Sequence, residues 1–327
     1  MANLATTWMG LPLRSPLIVA SSGLTRGLED IRACEKAGAG AVVLKSVFEE
    51  QILAELRSMG VGSIEGPEHP EGDDYVARYG RRHAIDEALE TLSQCRREVG
   101  IPVIASIHCA TAEGWQEFAV RAAEAGAAGI ELNVFIPPMS PERDGASIEQ
   151  VYFDVARSVR QVVGIPVSLK IAPYFSGLAR TAVLLSREVQ GLVLFNRFVH
   201  LDIDLDRLEV VTTRAFSDPR DLEAPLRWTA LLAGRVHCDL AVTTGVHDGE
   251  GAAKALLAGA SAVQVCSALY RHGIEHLRTM ADGLVAFMER HRFARVSDFR
   301  GRLAQSHLES PAVWERAQFM KVQAGIE

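Results

Sequence analysis

The sequence predicts an α/β fold, a single (β/α)8 barrel of eight parallel strands, on three observations. The phrase "VGIPV" occurs at 99–103 and again at 163–167, each time after an amphipathic helical stretch and before a short apolar run. That interval fits two strand-plus-helix units of about thirty residues each. A second phrase, Ala-Gly-Ala or a near variant ahead of an apolar run, recurs in "KAGAGAVVLKS", "EAGAAGIELNV" and "LAGASAVQVCSA". Glycine there suits a left-handed residue that closes a helix before the next strand. Third, short Val/Ile/Leu-rich runs alternate with helical patterns along the whole chain, as a parallel sheet buried on both faces requires.

Taken in order, the strands are "PLIVASS" (16–22), "AVVLKS" (41–46), "PVIASI" (102–107) and "GIELNV" (129–134), then "PVSLKIAP" (166–173), "LVLFN" (192–196), "LAVTTG" (240–245) and "AVQVCSA" (262–268). Eight such units argue closure into a TIM barrel, with 1–327 as one domain. A doubly wound sheet would want Gly-x-Gly-x-x-Gly after its first strand, and "ASSGLTRG" does not supply it. Two connections are too long for simple turns: 47–83 and 197–224. Both follow strand C-terminal ends, so they are expected to be insertions over the C-terminal mouth, where barrels place active sites and lids.

Composition narrows the partners. With 327 residues, 48% hydrophobic and 23% charged, the chain can bury a large core without metals or disulfides. A net charge of -7 without any Lys/Arg run argues against a nucleic-acid surface. The five cysteines are scattered and form no C-x-x-C pair, so no metal site is expected and a reducing cytoplasm fits. No apolar run reaches membrane-spanning length, and the N-terminal stretch lacks the apolar centre of a signal peptide, so a chain mature from its first residues is expected.

Polar residues collect at strand C-terminal ends: Lys45, Glu131 with Asn133, Lys170, Asn196, and Thr243 to Gly245. Two lysines and a glutamate inside apolar strands ask for a ligand or for one another. The turns at Thr244-Gly245 and Cys266-Ser267 lie in the seventh and eighth units, where barrels commonly hold phosphate with backbone N–H groups.

"LIVASSG", "VVLKS", "SI" at 106–107, "IELN", "SLKIAPYFS", Asn196, "TTGVHDGEGAAKALLAGASAVQVCSALYRHG" and "VSDFRG" together resemble, in order and spacing, the landmarks of the dihydroorotate dehydrogenases, most closely the soluble class. The resemblance runs from Pro16 to Gly301. It implies an FMN-dependent oxidoreductase of pyrimidine biosynthesis type, acting on the CH–CH group of a small-molecule substrate, as a homodimer with a redox protein partner. Residue by residue, Ala20 and Ser21 match flavin contacts of the first strand. Lys45 and Ser46 match the pair near the reactive flavin edge, and Asn133 and Lys170 match the groups that hydrogen-bond the ring and ribityl chain. Thr244, Gly245, Cys266 and Ser267 fall on the phosphate turns, and Lys45, Asn133 and Asn196 match substrate contacts.

The departures are concentrated in the substrate half. Where the family continues its fourth strand through Leu-Ser-Cys-Pro-Asn, this chain reads Phe135, Ile136, Pro137, Pro138. Ile136 therefore stands at the family's base position and cannot accept a proton. "EGPEHPEGDDYV" replaces an Asn-rich segment, and "DPRDLEAPLRW" replaces glycines expected before the sixth helix. His108 is the first substitute base on position alone; Cys109, His69, Asp73, Asp74, Tyr174 and His200 are the others. Two alternatives stay open: a flavin-free barrel lyase or isomerase with a Schiff base on Lys170 or Lys45, and a non-catalytic flavin-binding subunit.

Overall fold

The chain enters through a hairpin, β1 (Thr6–Trp8) and β2 (Leu11–Leu13), that the strand reading above does not include. Trp8 pairs with Leu11 across a two-residue turn in which Met9 and Gly10 both have positive φ, 53° and 78°. Such a turn matches the natural twist of a hairpin. Trp8 and Met9 are buried at the foot of the barrel, against Ile18, Ile104, Val193 and Ala241 from its inner wall. Gly191 is what admits them: a Cβ there would lie 2.7 Å from the Trp8 ring.

In the computed structural model residues 2–48, 85–108, 112–198 and 200–315 are described. The barrel follows the hairpin: β3 (Leu17–Val19), β4 (Ala41–Val43), a short β5 (Val47–Phe48), β6 (Val103–His108), β7 (Gly129–Asn133), β8 (Val167–Ile171) and β9 (Gly191–Leu194). After a second hairpin, β10 (His200–Asp204) with β11 (Glu209–Arg214), the barrel resumes in β12 (Asp239–Thr243) and β13 (Ala262–Val265). All barrel pairings are parallel, and β4 pairs with β6 while β13 pairs with β3, which closes the circle. The predicted (β/α)8 barrel is therefore the observed one.

Each predicted strand overlaps the observed one; β9 and β12 start one residue earlier than predicted, β6 runs one residue further, and all but β6 end earlier. Beyond the ladder, Ser21, Ser46, Asn196, Thr244, Gly245, Cys266 and Ser267 face a cavity. The three Ala-Gly phrases close helices as expected, with Gly38, Gly126 and Gly259 at φ 99°, 101° and 119°. The helix at 85–98 and those at Ala112–Ala125, Gly145–Val162 and Gly249–Ala258 pack outside the strands. Alternate strand residues, such as Ile130, Leu132, Leu169 and Val263, bury against them. The insertion at 47–83 falls almost entirely outside the described residues, as do His69, Asp73, Asp74 and Cys109.

Candidate active site

The inner wall changes character from bottom to top. Ile18, Ile104, Ala241 and Ala262 form an apolar layer above Trp8, and two residues further along the same strands the inward positions become Ser106, Thr243 and Gln264. Glu131 joins this layer from β7 and is 1% exposed. Gln264 Nε2 donates to Glu131 Oε2, and Lys170 Nζ lies 3.9 Å from Glu131 Oε1. The charge is buried, but it has been given partners, which is the condition for burying it at all.

Above this layer opens a cavity of about 340 Å³ at the C-terminal ends of the strands, a size usual for small-molecule sites. It gathers most of the predicted site residues: Ala20, Ser21 and Ser46 on one side, Asn133, Lys170 and Asn196 on another, and Thr244, Gly245, Cys266 and Ser267 on a third. Lys45, His108 and Ile136 do not border it. Lys45 donates its backbone N–H to Thr25 O at 3.3 Å. His108 Nδ1 lies 2.7 Å from Asn133 O, with its ring edge-on to Trp115. Ile136 packs on the core beside Tyr152, whose hydroxyl lies 3.4 Å from the Ile136 N–H that donates to it. His200 sits 3.4 Å from Arg214 on the β10–β11 hairpin. Tyr174 is 51% exposed, packed edge-on against Phe198, which in turn touches Phe135 at a ring separation of 4.3 Å.

On the first side a serine relay fixes the wall. Ser46 N–H donates to Ser21 Oγ at 2.8 Å, and Ser46 Oγ lies 3.0 Å from Ser21 Oγ and 2.6 Å from Ser106 Oγ. Cys266 faces the cavity nearby, its thiol held above the ordinary value by burial, against the Ser22 hydrogen bond and the Lys170 charge.

The third side contains residues that strand-end reasoning missed, because they come from the second insertion. Arg197 donates to the carbonyls of Ala215, Arg214 and Phe216 at 2.9, 3.0 and 3.2 Å and so fastens the returning β11 to the strand that precedes the hairpin. This presents Phe216, stacked on Tyr270, and Ser217 to the cavity. Ser217 N–H donates to Ser267 Oγ at 3.0 Å, while Ser217 Oγ accepts from Gly245 N–H at 3.4 Å. The turn beneath is tight: Gly245 has φ 78°, and a Cβ on it would lie 2.1 Å from Leu222 N. Thr244 beside it has φ 77°, a conformation that a β-branched residue rarely adopts. Backbone strain of this kind tends to persist where a site needs it.

Among the described residues, no group of three or more His, Cys, Asp or Glu side chains could hold a metal ion, and no helix is long and apolar enough to cross a membrane.

Comparison with known proteins places the chain in a family. Residues 3–288 match the family model described as dihydroorotate dehydrogenase. The dihydroorotate dehydrogenase B (NAD(+)) catalytic subunit of Methanothermobacter thermautotrophicus is 30% identical over 317 residues, covering 91% of this chain and 97% of that protein. The subunit of the same name from Thermoplasma volcanium is 25% identical over 309 residues, covering 92% of this chain and 98% of its own length. On the span of the family match, the barrel and the placement of its polar strand ends, this chain belongs to the dihydroorotate dehydrogenase family.

Proposed function

We propose that the chain binds FMN in this cavity and oxidises the CH–CH group of a small molecule other than dihydroorotate. The observation that carries the reading is the set of buried polar atoms on the cavity floor with no partner in the protein: Asn133 Oδ1 and Gln264 Oε1, beside the Lys170 ammonium. Buried acceptors without partners are rare, and their presence around a cavity calls for a ligand that carries donors. A ring edge that offers an N–H to Asn133 and electron-rich atoms to Lys170 satisfies both, and the isoalloxazine edge is of this kind.

Ala20, Ser21, Ser46, Asn133 and Lys170 would hold the ring and ribityl chain, and Thr244, Gly245, Cys266 and Ser267 the phosphate. When bound, FMN supplies hydride acceptance. Lys170 would favour the negative charge that collects on reduction, and Glu131 keeps Lys170 in place from below. Phe216 and Tyr270, stacked at 5.4 Å, edge the cavity on the side of the second insertion. We take both insertions, 47–83 and 197–224, as cover for the mouth; for the second, support comes from Arg197, Phe216 and Ser217 in the cavity lining. The relatives' designation as catalytic subunits supports a separate protein partner that receives the electrons.

Dihydroorotate is set aside on chemical grounds. Removing a hydride and a proton from neighbouring carbons needs a base, and the family's position holds Ile136. Phe135, Phe198 and Tyr174 add an aromatic cluster beside it, where a carboxylated polar ring finds few partners. Asn133 and Asn196 line the cavity and would contact the substrate; His108 and Lys45, which strand position favours as substitute base and substrate contact, do not border it.

The test is the visible spectrum of the purified protein and the mass of whatever it releases on denaturation. A yellow protein that releases FMN is expected. A colourless protein that cannot be reconstituted with FMN would return the flavin-free lyase to first place.

A further inference from the structure

The second insertion brings the Ser217 side chain to one end of the cavity. Ser217, 3% exposed, places its Oγ between two groups: Gly245 N–H at 3.4 Å and His247 Nε2 at 3.2 Å. His247 does not line the cavity but stands half-buried behind Ser217. The charged and titratable groups around it are Arg271 and His272 on the helix Ser267–His272, Asp248 on its own turn and Asp218 after Ser217. His276, from the helix His276–Arg290, is bonded to the His247 carbonyl through Nε2 at 2.8 Å. Burial and the Arg271 charge hold the His247 imidazole below its ordinary value, against the pull of Asp248 and Asp218.

A proton count shows what this arrangement does. The Ser217 hydroxyl has one proton and two lone pairs. Gly245 N–H occupies one lone pair, so in the ligand-free protein the hydroxyl proton is free to point at a neutral His247 Nε2. An anionic oxygen entering the cavity end competes for that same proton. When it takes the proton, the remaining Ser217 lone pair faces His247, which then has to present Nε2–H. The neutral Nε2–H tautomer does so without gaining a proton; the imidazolium does so and also adds a positive charge close to the anion, and that charge favours proton uptake beside a phosphate dianion, while Arg271 on the helix Ser267–His272 adds to the same field.

We propose that His247, acting through Ser217, is the positioning residue of a phosphomonoester subsite, and that His247 takes up a proton when the phosphate binds. The proposal rests on the FMN reading and goes beyond it: it adds to the phosphate end a serine–histidine pair that the reading of the strand ends did not include. No bond to the ligand forms or breaks. One proton moves from solvent to His247, and the hydroxyl proton of Ser217 turns from His247 to the phosphate.

The experiment compares FMN with riboflavin, which lacks the phosphate, by fluorescence titration of the flavin-free protein between about pH 6.5 and pH 8.5, above the second phosphate ionisation near 6. The wild type is expected to prefer FMN, and to lose about fivefold of that preference as pH rises across this range, because His247 no longer picks up its proton. In His247→Gln the preference is smaller and flat with pH, while riboflavin affinity is unchanged. Ser217→Ala loses about tenfold of the preference at low pH, the worth of one hydrogen bond to a charged group, and its remaining preference is flatter with pH than that of the wild type, because His247 acts through the Ser217 hydroxyl. Unchanged riboflavin binding shows that each variant folds. A His247→Gln protein with the wild-type preference and the wild-type pH profile overturns the proposal even though FMN binds. Binding of neither flavin by the wild type overturns the flavin reading itself, and this inference with it.

Discussion

Lys170 Nζ lies 3.9 Å from Glu131 Oε1, one layer above it in the barrel, on neighbouring strands whose register sets Lys170 opposite Asn133. Glu131 is buried and its other partner is neutral Gln264. Removing the cation alone therefore leaves a buried carboxyl group without charge compensation. Lys170→Ala is expected to lower unfolding stability by about 3–5 kcal/mol, and Glu131→Leu/Lys170→Met together to regain most of it. Urea denaturation of the three proteins decides this; a Lys170→Ala midpoint equal to wild type would show the pair is energetically idle.

The same lysine faces the cavity. Lys170→Ala protein that remains folded should bind FMN at least about tenfold more weakly, the loss of one charge-assisted hydrogen bond. Equilibrium dialysis measures it. Full flavin occupancy in a folded Lys170→Ala protein would remove Lys170 from the ring contacts.

Restoring the family's base should not by itself restore the family's reaction. A positioned base contributes about 10²- to 10⁴-fold, but Ile136 packs on the core rather than bordering the cavity, so a group placed there has no open path to a ligand in it. Ile136→Cys is expected to leave dihydroorotate turnover far below a family level. Anaerobic mixing of flavin-loaded wild-type protein with dihydroorotate is the direct check: rapid bleaching of the flavin band would mean that another group, such as His108, removes the proton.

Thr244 holds a left-handed backbone at φ 77°. Its hydroxyl recovers only a long hydrogen bond to Phe195 O, at 3.4 Å. Thr244→Gly relieves a cost of about 1–2 kcal/mol and loses part of that gain to the freer unfolded chain. A net stabilisation of roughly 1 kcal/mol is expected in urea. A destabilised variant would show that the Thr244 side chain holds the turn more firmly than its geometry suggests.

Stability should fall in alkali. Burial pushes the Cys34 thiol up to about 12, with the Asp30 charge adding, and burial with Glu98 pushes Cys95 up to about 11. Between the ordinary thiol value near 9 and those values the folded protein keeps protons that the unfolded chain has released, so stability drops as pH rises through that window. The slope is about 1.4 kcal/mol per pH unit for each thiol, and neither thiol contributes below about pH 8. Urea midpoints at pH 8 and pH 10 measure it; equal midpoints would contradict the burial of these thiols.

Strand ends and helix closures were readable in the chain because they are local. A Pro-Val apolar run after Val-Gly-Ile becomes a strand in β6 and again in β8, and the glycines of "KAGAGA", "EAGAAG" and "LAGASA" take positive φ, since no other residue takes it at so little cost. Side-chain alternation along β7 and β8 then dictates that Glu131, Asn133 and Lys170 share the inner face. Asn133 and Lys170 line one cavity, and Glu131 lies in the layer beneath Lys170, as the pattern required.

What the sequence could not decide is which distant segments lie on top of one another. Nothing near Trp8 says that it plugs the barrel under Ile104 and Val193, because its partners are spread over the inner wall of a closed sheet. Likewise Ser217 and His247 stand thirty residues apart in segments without a shared motif; Arg197, by fastening the β11 return to the chain after β9, and Ser267, by accepting from the Ser217 N–H, hold the Ser217 hydroxyl over the Gly245 turn. The sequence by itself determined the barrel and its inner polar ring, both of which follow from period and order along the chain. The tertiary structure alone decided what packs at the two ends of the barrel and which side chain of the second insertion meets the Gly245 turn, because those contacts depend on how far loops reach across a closed circle of strands, and local periodicity carries no record of that distance.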